Sequence, residues 1–345
     1  MQNVKMQTLE FRGNHYDYGV AQAEWLKSTK MLQNREKEWR IRRPRFDINI
    51  DETKNIYQKF APKIWDELMG IQDTLKFPLE TILLNYGHYR VYAKDSGCSI
   101  FLGEDYMVRN YDYSPATYDG RFSLFQPTDG GYAQIGPTSR VTGRMDGMNE
   151  HGLAMGYNFM HRKKPGDGFV CYMIGRLILE TCKDIDDAVR LLNEIPHRSS
   201  FSYILMDKTN NRITVEATPR EVVTKQNNLC TNHFEILSHE NRNYIKESVE
   251  RYNRIDQITN DQMSLEDAFR YFNDPQYEIY SKLFKSWSGT IHTSAYIPSQ
   301  LKMKIALGEK GTIHTFDFKE WLDGKSITLP TITGQIDSDI LFASE

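Results

Sequence analysis

Cys98 stands in the run Asp95-Ser96-Gly97-Cys98-Ser99-Ile100-Phe101, and eleven residues later comes Arg109-Asn110-Tyr111-Asp112. A Gly-Cys bond ahead of a β-rich stretch, followed by Arg-Asn-x-Asp, is what a self-cleaving amidase precursor needs. Cleavage of Gly97–Cys98 leaves Cys98 with a free α-amine beside its thiol. Nucleophile and general base then belong to one residue, the arrangement in which a terminal amine replaces histidine. An α-amine titrates near 7.7–8.0 and a thiol near about 8.5, so the two exchange a proton readily around neutral pH. The plain alternative is a buried structural cysteine, the commoner fate of that residue type.

Amide cleavage also needs donors aimed at the oxyanion and groups that hold the amine. Asp112 carries a charge suited to the Cys98 ammonium; otherwise it is a surface carboxylate at a strand end. Arg109 beside the thiol favours thiolate, though arginine on an exposed strand face is common. Asn232 offers a neutral NH2 to developing negative charge, or else simply makes a turn. Asn158 ends an apolar strand, where a buried amide needs partners. Nine histidines allow a rival scheme, an uncleaved Cys-His amidase or peptidase pairing Cys98 with His88, His151 or His233. A non-catalytic binding module is the third reading.

The elements around these residues fall into two textures. Residues 1–97 read as mostly helical: 16–26 has helical apolar spacing, and Ile56, Phe60, Ile64 and Leu68 recur at steps of four with Gly70 as the expected stop. Residues 35–45 are dense in charge and read as a solvated helix face, with an acidic ligand as the alternative. Pro78-Leu79-Glu80-Thr81 begins another helix. From Cys98 onward short strands and turns take over, at 99–102 and 106–113, then 140–146 and 153–159 around Asn149-Glu150-His151-Gly152. Helices over 169–182 and 185–195 follow, the second capped by Asp184. Next come a hairpin of 202–206 with 212–217, a helix over 244–258, and strands near 289–297 and 302–307. The last fifteen or so residues read as a weakly anchored tail. Strands, two central helices, then strands again predict an α+β fold.

Four landmarks resemble the N-terminal-nucleophile amidases, in the order seen in the acyl-coenzyme A:6-aminopenicillanate acyltransferase family and its choloylglycine hydrolase and penicillin V acylase relatives. Gly97-Cys98-Ser99 is similar to the cleavage site and nucleophile. Val108-Arg109-Asn110-Tyr111-Asp112-Tyr113 looks like the strand that holds the new amine. The segment from Gly147-Met148-Asn149 to Tyr157-Asn158-Phe159 resembles the one whose asparagine faces the nucleophile. Cys230-Thr231-Asn232-His233-Phe234 resembles the Thr-Asn-His-Phe of the oxyanion asparagine. Glu247-Ser248-Val249-Glu250-Arg251 is a weaker match to the acyltransferase Asp-Ser-x-x-Arg, making Ser248 and Arg251 further candidates; Arg251 is otherwise a helix-surface residue. Tyr111-Asp112-Tyr113 departs from the usual Trp-Asp-Trp/Phe, so the shape of the acyl pocket does not carry over. The resemblance implies a four-layer αββα sandwich with catalytic Cys98, Arg109, Asp112, Asn158 and Asn232 and cleavage between Gly97 and Cys98. It further implies a leader over 1–97 that stays associated with a catalytic part over 98–345. The implied activity is hydrolysis or acyl transfer on a small linear amide, with acyl-coenzyme A as one acyl donor.

Composition narrows the rest. Across 345 residues, 39% are hydrophobic and 12% aromatic, enough for a sizeable core. The net charge of −3 gives no reason to expect nucleic acid or an anionic membrane as partner. No apolar run of about 18 residues occurs and the start lacks an apolar secretory stretch. The four cysteines form no CxxC pair and no zinc spacing, so no metal, cofactor or disulfide framework is expected. A reduced cytoplasm suits such a chain.

Overall fold

The computed structural model describes residues 1–41, 48–91, 97–160, 165–241, 244–286 and 288–343, and of residues 36 and 38–41 the backbone alone. Residues 42–45 of the charged run, and the side chains of 36 and 38–41, therefore lie outside the described residues. Its first member, Arg35, is buried and donates to Asn85 O at 2.8 Å, so it is no part of a solvated face.

Among the described residues, two sheets rich in antiparallel pairs organise the α+β chain, one of ten strands and one of seven. Gly97–Leu102, Met107–Tyr113, Ser288–Ile297 and Lys302–Leu307 lie side by side in the smaller sheet. Ala154–Phe159, Phe201–Met206 and Arg212–Ala217 lie side by side in the larger one. Alternation along each strand sends its side chains to two different cores. Cys98, Ile100 and Leu102 join Leu124, Ile135 and Ile204 in a cluster shared by both sheets. Phe101 and Val108 instead meet Ile255, Phe269 and Phe272 of helices Lys246–Ile258 and Leu265–Asn273. Tyr157, Phe201 and Tyr203 face helix Cys171–Thr181 and the N-terminal helices. Among the described residues no helix is long and apolar enough to cross a membrane.

The N-terminal part is not helical throughout. Gln2–Gly13 is a strand of the larger sheet, parallel to Arg121–Pro127 and antiparallel to Thr331–Ile336. Thr331–Ile336 belongs to the stretch expected to be a loose tail, and Phe342 beyond it is buried too. Both strands are short of apolar residues, and only pairing with a distant partner makes them strands. The expected helix through Ile56 and Leu68 is two, Ile50–Phe60 and Pro62–Leu75, because Pro62 opens a new helix at its first turn. Gly70 does not stop the second helix. A Cβ there would lie 2.1 Å from Tyr16 O, and one at Gly19 would lie 2.1 Å from Glu67 O. These two glycines let helix His15–Lys27 and helix Pro62–Leu75 touch backbone to backbone. Residues 140–146 are not one strand either: Arg140 and Val141 take positive φ, and pairing resumes at Gly143–Arg144 and Asp146–Asn149.

Candidate active site

Gly97–Leu102 and Met107–Tyr113 pair antiparallel with Cys98 opposite Tyr111 and Gly97 opposite Asp112. That register sets Cys98, Arg109 and Tyr111 on the inter-sheet side, and Asn110 and Asp112 on the helix side. Asn110 Nδ2 there donates to Phe272 O at 2.8 Å. Cys98 is 1% exposed. Its backbone N–H donates to Asn232 Oδ1 at 2.8 Å, and Arg109 Nη2 reaches its Sγ at 3.5 Å. Burial pushes the thiol up; the Arg109 cation pulls it down and the Asp112 charge pushes it up again, leaving it above its ordinary value.

Arg109 is wholly buried rather than on an exposed face. Its Nη2 also donates to Tyr157 O at 2.8 Å, and its guanidinium lies 5.1 Å from the Tyr111 ring and 5.3 Å from the Tyr157 ring. Its Nη1 lies 3.3 Å from Asp146 Oδ1. Asp146 accepts hydrogen bonds from Ser294 Oγ and, at 3.1 Å, from Tyr296 OH. Burial works against its charge, but Arg109, His292 and Ser294 outweigh it and hold the carboxyl below its usual range.

Asp112 is likewise no surface carboxylate. Oδ1 accepts from Thr290 Oγ1 at 2.6 Å, and Oδ2 faces Arg251 Nη1 at 3.4 Å. Burial raises its pKa to about 7 against the pull of Arg251 and Thr290. Arg251 is buried as well, and its Nη2 donates to Asn232 Oδ1 at 2.6 Å. Asn232 Oδ1 thus receives both the Cys98 amide and the Arg251 guanidinium, while its Nδ2 donates to Phe159 O at 2.9 Å. Ser248 Oγ accepts from the Asn232 backbone N–H at 2.7 Å, fixing the loop that carries it. Asn158 stands one step back: Nδ2 donates to Cys230 O at 2.9 Å and Thr231 O at 3.1 Å, tying strand Ala154–Phe159 to the segment before Asn232.

Cys98, Arg109, Asp112, Asn232, Ser248 and Arg251 are thus brought together, with Asn158 behind Asn232. Sequence reasoning missed Asp146, Thr290, His292 and Ser294. Thr290, His292, Thr293 and Ser294 crowd polar groups into a buried strand, and that density was the signal available. Among the described residues no histidine hydrogen-bonds Cys98. His233 Nδ1 meets Ser248 Oγ at 2.9 Å, His88 is bonded to Thr142 and Arg140 O, and His151 packs on Tyr132. No group of three or more His, Cys, Asp or Glu side chains arranged to hold a metal ion occurs among the described residues. A polar surface cleft of about 470 Å³, lined by His151, Lys183, Asp186, Asp207 and Arg212 among others, holds none of Cys98, Arg109, Asp112, Asn158, Asn232, Ser248 and Arg251.

The chain is similar to several solved structures. A mutant of the conjugated bile acid hydrolase from Clostridium perfringens is 15% identical, over 70% of this chain and 97% of that one, with a TM-score of 0.47. Penicillin V acylase from Agrobacterium tumefaciens is 13% identical over 65% and 86%, with a TM-score of 0.42. The Caenorhabditis elegans ortholog of N-acylethanolamine-hydrolyzing acid amidase is 10% identical over 59% and 93%, with a TM-score of 0.38. No curated protein matches in sequence. The family model described as "Acyl-coenzyme A:6-aminopenicillanic acid acyl-transferase" matches residues 101–312. That span is well over half of the chain, and it carries Arg109, Asp112, Asn158, Asn232 and Arg251, so this protein belongs to the acyl-coenzyme A:6-aminopenicillanic acid acyl-transferase family.

Proposed function

We propose that this chain is a self-processing cysteine amidohydrolase/acyltransferase that cleaves a small linear amide through a Cys98 acyl-enzyme. On this view the fold is a four-layer αββα sandwich, with 1–97 a leader that stays bound after cleavage and 98–345 the catalytic part. The observation that carries it is the meeting at Asn232 Oδ1 of the Cys98 N–H, 2.8 Å away, and the Arg251 guanidinium, 2.6 Å away. The nitrogen that becomes the amine is already gripped in the intact chain, with Asp112 at one side and Arg109 at the thiol.

Cleavage begins when Cys98 Sγ attacks the Gly97 carbonyl carbon. The C–S bond forms, the C–N bond breaks, and the nitrogen takes up the thiol proton, giving a thioester and a free α-amine. Water hydrolyses the thioester, releasing the Gly97 carboxylate and restoring the thiol. In turnover the amine accepts the thiol proton as the thiolate attacks a substrate carbonyl, then returns it to the departing amine. Asp112 and Asn232 Oδ1 hold the ammonium, Arg109 favours thiolate, and the Asn232 side chain supplies a donor to the oxyanion. Asn158 works by holding the Asn232 segment. Water or an amine then takes the acyl group. N-acyl amino acids, short peptides, β-lactam side-chain amides and acyl-coenzyme A are the substrate classes to screen.

Intact-mass measurement of the purified protein provides the test. Wild type is expected as two fragments, 1–97 and 98–345, and Cys98→Ala as one chain. Uncleaved wild type that still hydrolyses N-acyl amides would overturn the terminal-amine scheme.

A further inference from the structure

We infer that Thr290 is a positioning residue for Asp112, holding its Oδ1 and favouring its charged form close to Cys98; the catalytic use of that charge rests on the role proposed above for Cys98. Strand Ser288–Ile297 runs antiparallel to Met107–Tyr113, and the register shifts between Thr290 and His292. Thr290 stands opposite Asp112 and His292 opposite Tyr111, with Ile291 as the extra residue of a bulge. In a regular strand Thr290 and His292 would share one face, whereas their partners, adjacent in sequence, point to opposite faces. The bulge lets one strand serve both sides of the sheet. Thr290 Oγ1 reaches Asp112 Oδ1 at 2.6 Å, and His292 stacks on Tyr111 at 5.1 Å between ring centroids.

The direction of the Thr290 hydroxyl follows from its other partner. Ser281 N–H donates to Thr290 Oγ1 at 2.8 Å, and a backbone amide can only donate. The single hydroxyl proton is therefore left for the carboxylate. Tyr280 OH donates to Thr290 O at 2.8 Å, so the backbone is pinned as well. Among the described residues, the other charged or titratable groups around Asp112 are Arg251 and Glu247 of helix Lys246–Ile258, Arg109 of its own strand, Cys98 of the next strand, and Tyr280. Without the hydroxyl, the one close side-chain donor to the carboxylate among the described residues would be Arg251 at 3.4 Å. Burial already raises the group to about 7, so loss of a donor to the charged form raises it further.

The test uses full-length Cys98→Ala protein, which does not depend on cleavage, with urea unfolding followed against pH. Asp112 titrates near about 3.9 when unfolded and higher when folded, so the folded chain binds the proton more tightly. Its contribution to stability is present at low pH and lost as pH rises towards the folded value of about 7. Thr290→Val is expected to extend that decline by roughly one pH unit. Thr290→Ser, which keeps the hydroxyl, should follow the parent, and in an Asp112→Asn background Thr290→Val should no longer move the window. In a second arm, chains with Cys98 restored are refolded from urea between about pH 5.5 and 9, and cleavage is timed by mass. The acid limb should move upward in Thr290→Val alone. Coincident stability windows for Thr290→Val and the parent, or an equal loss in the valine and serine variants at every pH, would overturn the inference. A parent that never cleaves overturns the role given to Cys98, while the unfolding curves still decide that of Thr290.

Discussion

Arg109 Nη1 and Asp146 Oδ1 face each other at 3.3 Å with both side chains fully buried. The guanidinium that touches Cys98 is thereby held by a carboxylate on the other sheet, itself bonded to Ser294 and Tyr296. Asp146→Asn leaves a buried cation uncompensated, which costs about 3–5 kcal/mol. Urea unfolding of the single variants and of Arg109→Met with Asp146→Asn should give a double-mutant loss well below the sum. Alkylation of Cys98 by iodoacetamide should also slow in Asp146→Asn, because a displaced Arg109 no longer favours thiolate.

Asn232→Ala should turn over roughly 10²–10³-fold more slowly with little change in KM, the signature of a donor used mainly in the transition state. Cleavage at Gly97–Cys98 should slow too, since it passes through its own oxyanion. Asn158→Ala leaves the Cys230 and Thr231 carbonyls without their donor, at about 1–3 kcal/mol. A normal kcat with a raised KM in Asn232→Ala would assign the residue to substrate binding.

The N-terminal segment is bolted to the rest by buried charge. Arg176 pairs with Glu67 at 2.9 Å and Glu180 at 3.0 Å, and Gln22 donates to Glu67 at 2.6 Å. On the cleavage proposed above, fragments 1–97 and 98–345 should therefore co-elute on native chromatography and part only in denaturant. Glu67→Ala should lower stability by about 3–5 kcal/mol. Fragments that separate without denaturant would refute this.

His15 lies between two carboxylates, 2.7 Å from Asp129 and in contact with Glu180. Burial lowers its pKa, but the bond and charge of Glu180 prevail and the net shift is upward. A raised folded value means its contribution is complete below the unfolded value of about 6.5 and disappears as pH rises through the folded one. Wild type should thus lose stability over that window, and His15→Gln should flatten it. Parallel curves from urea unfolding at a series of pH values would count against this role of His15.

What the chain declares locally is what repeats or caps locally. The helical spacing over 16–26, the Asp184 cap and the hairpin of Phe201–Met206 with Arg212–Ala217 are set by neighbours a few residues away, and each occurs as expected. The proximity of Cys98, Arg109 and Asp112 was legible because one hairpin holds all three. Other features depend on contacts that no window of sequence contains. Gln2–Gly13 and Thr331–Ile336 are strands only because they pair across the whole length of the chain. Gly70 looks like a helix stop until helix His15–Lys27 crosses it.

Residue types by themselves determined the chemistry on offer: a thiol behind a glycine, an aspartate, an arginine and two asparagines. Tertiary structure decided which of those groups are charged, buried and aimed at one another. Asp112 meets Thr290 across 178 residues and Asn232 across to Cys98 spans 134, distances over which only packing, and not periodicity, carries information. Arg251 reads equally well as a helix-surface residue until its helix docks on the sheet end and burial forces its guanidinium to find Asp112 and Asn232.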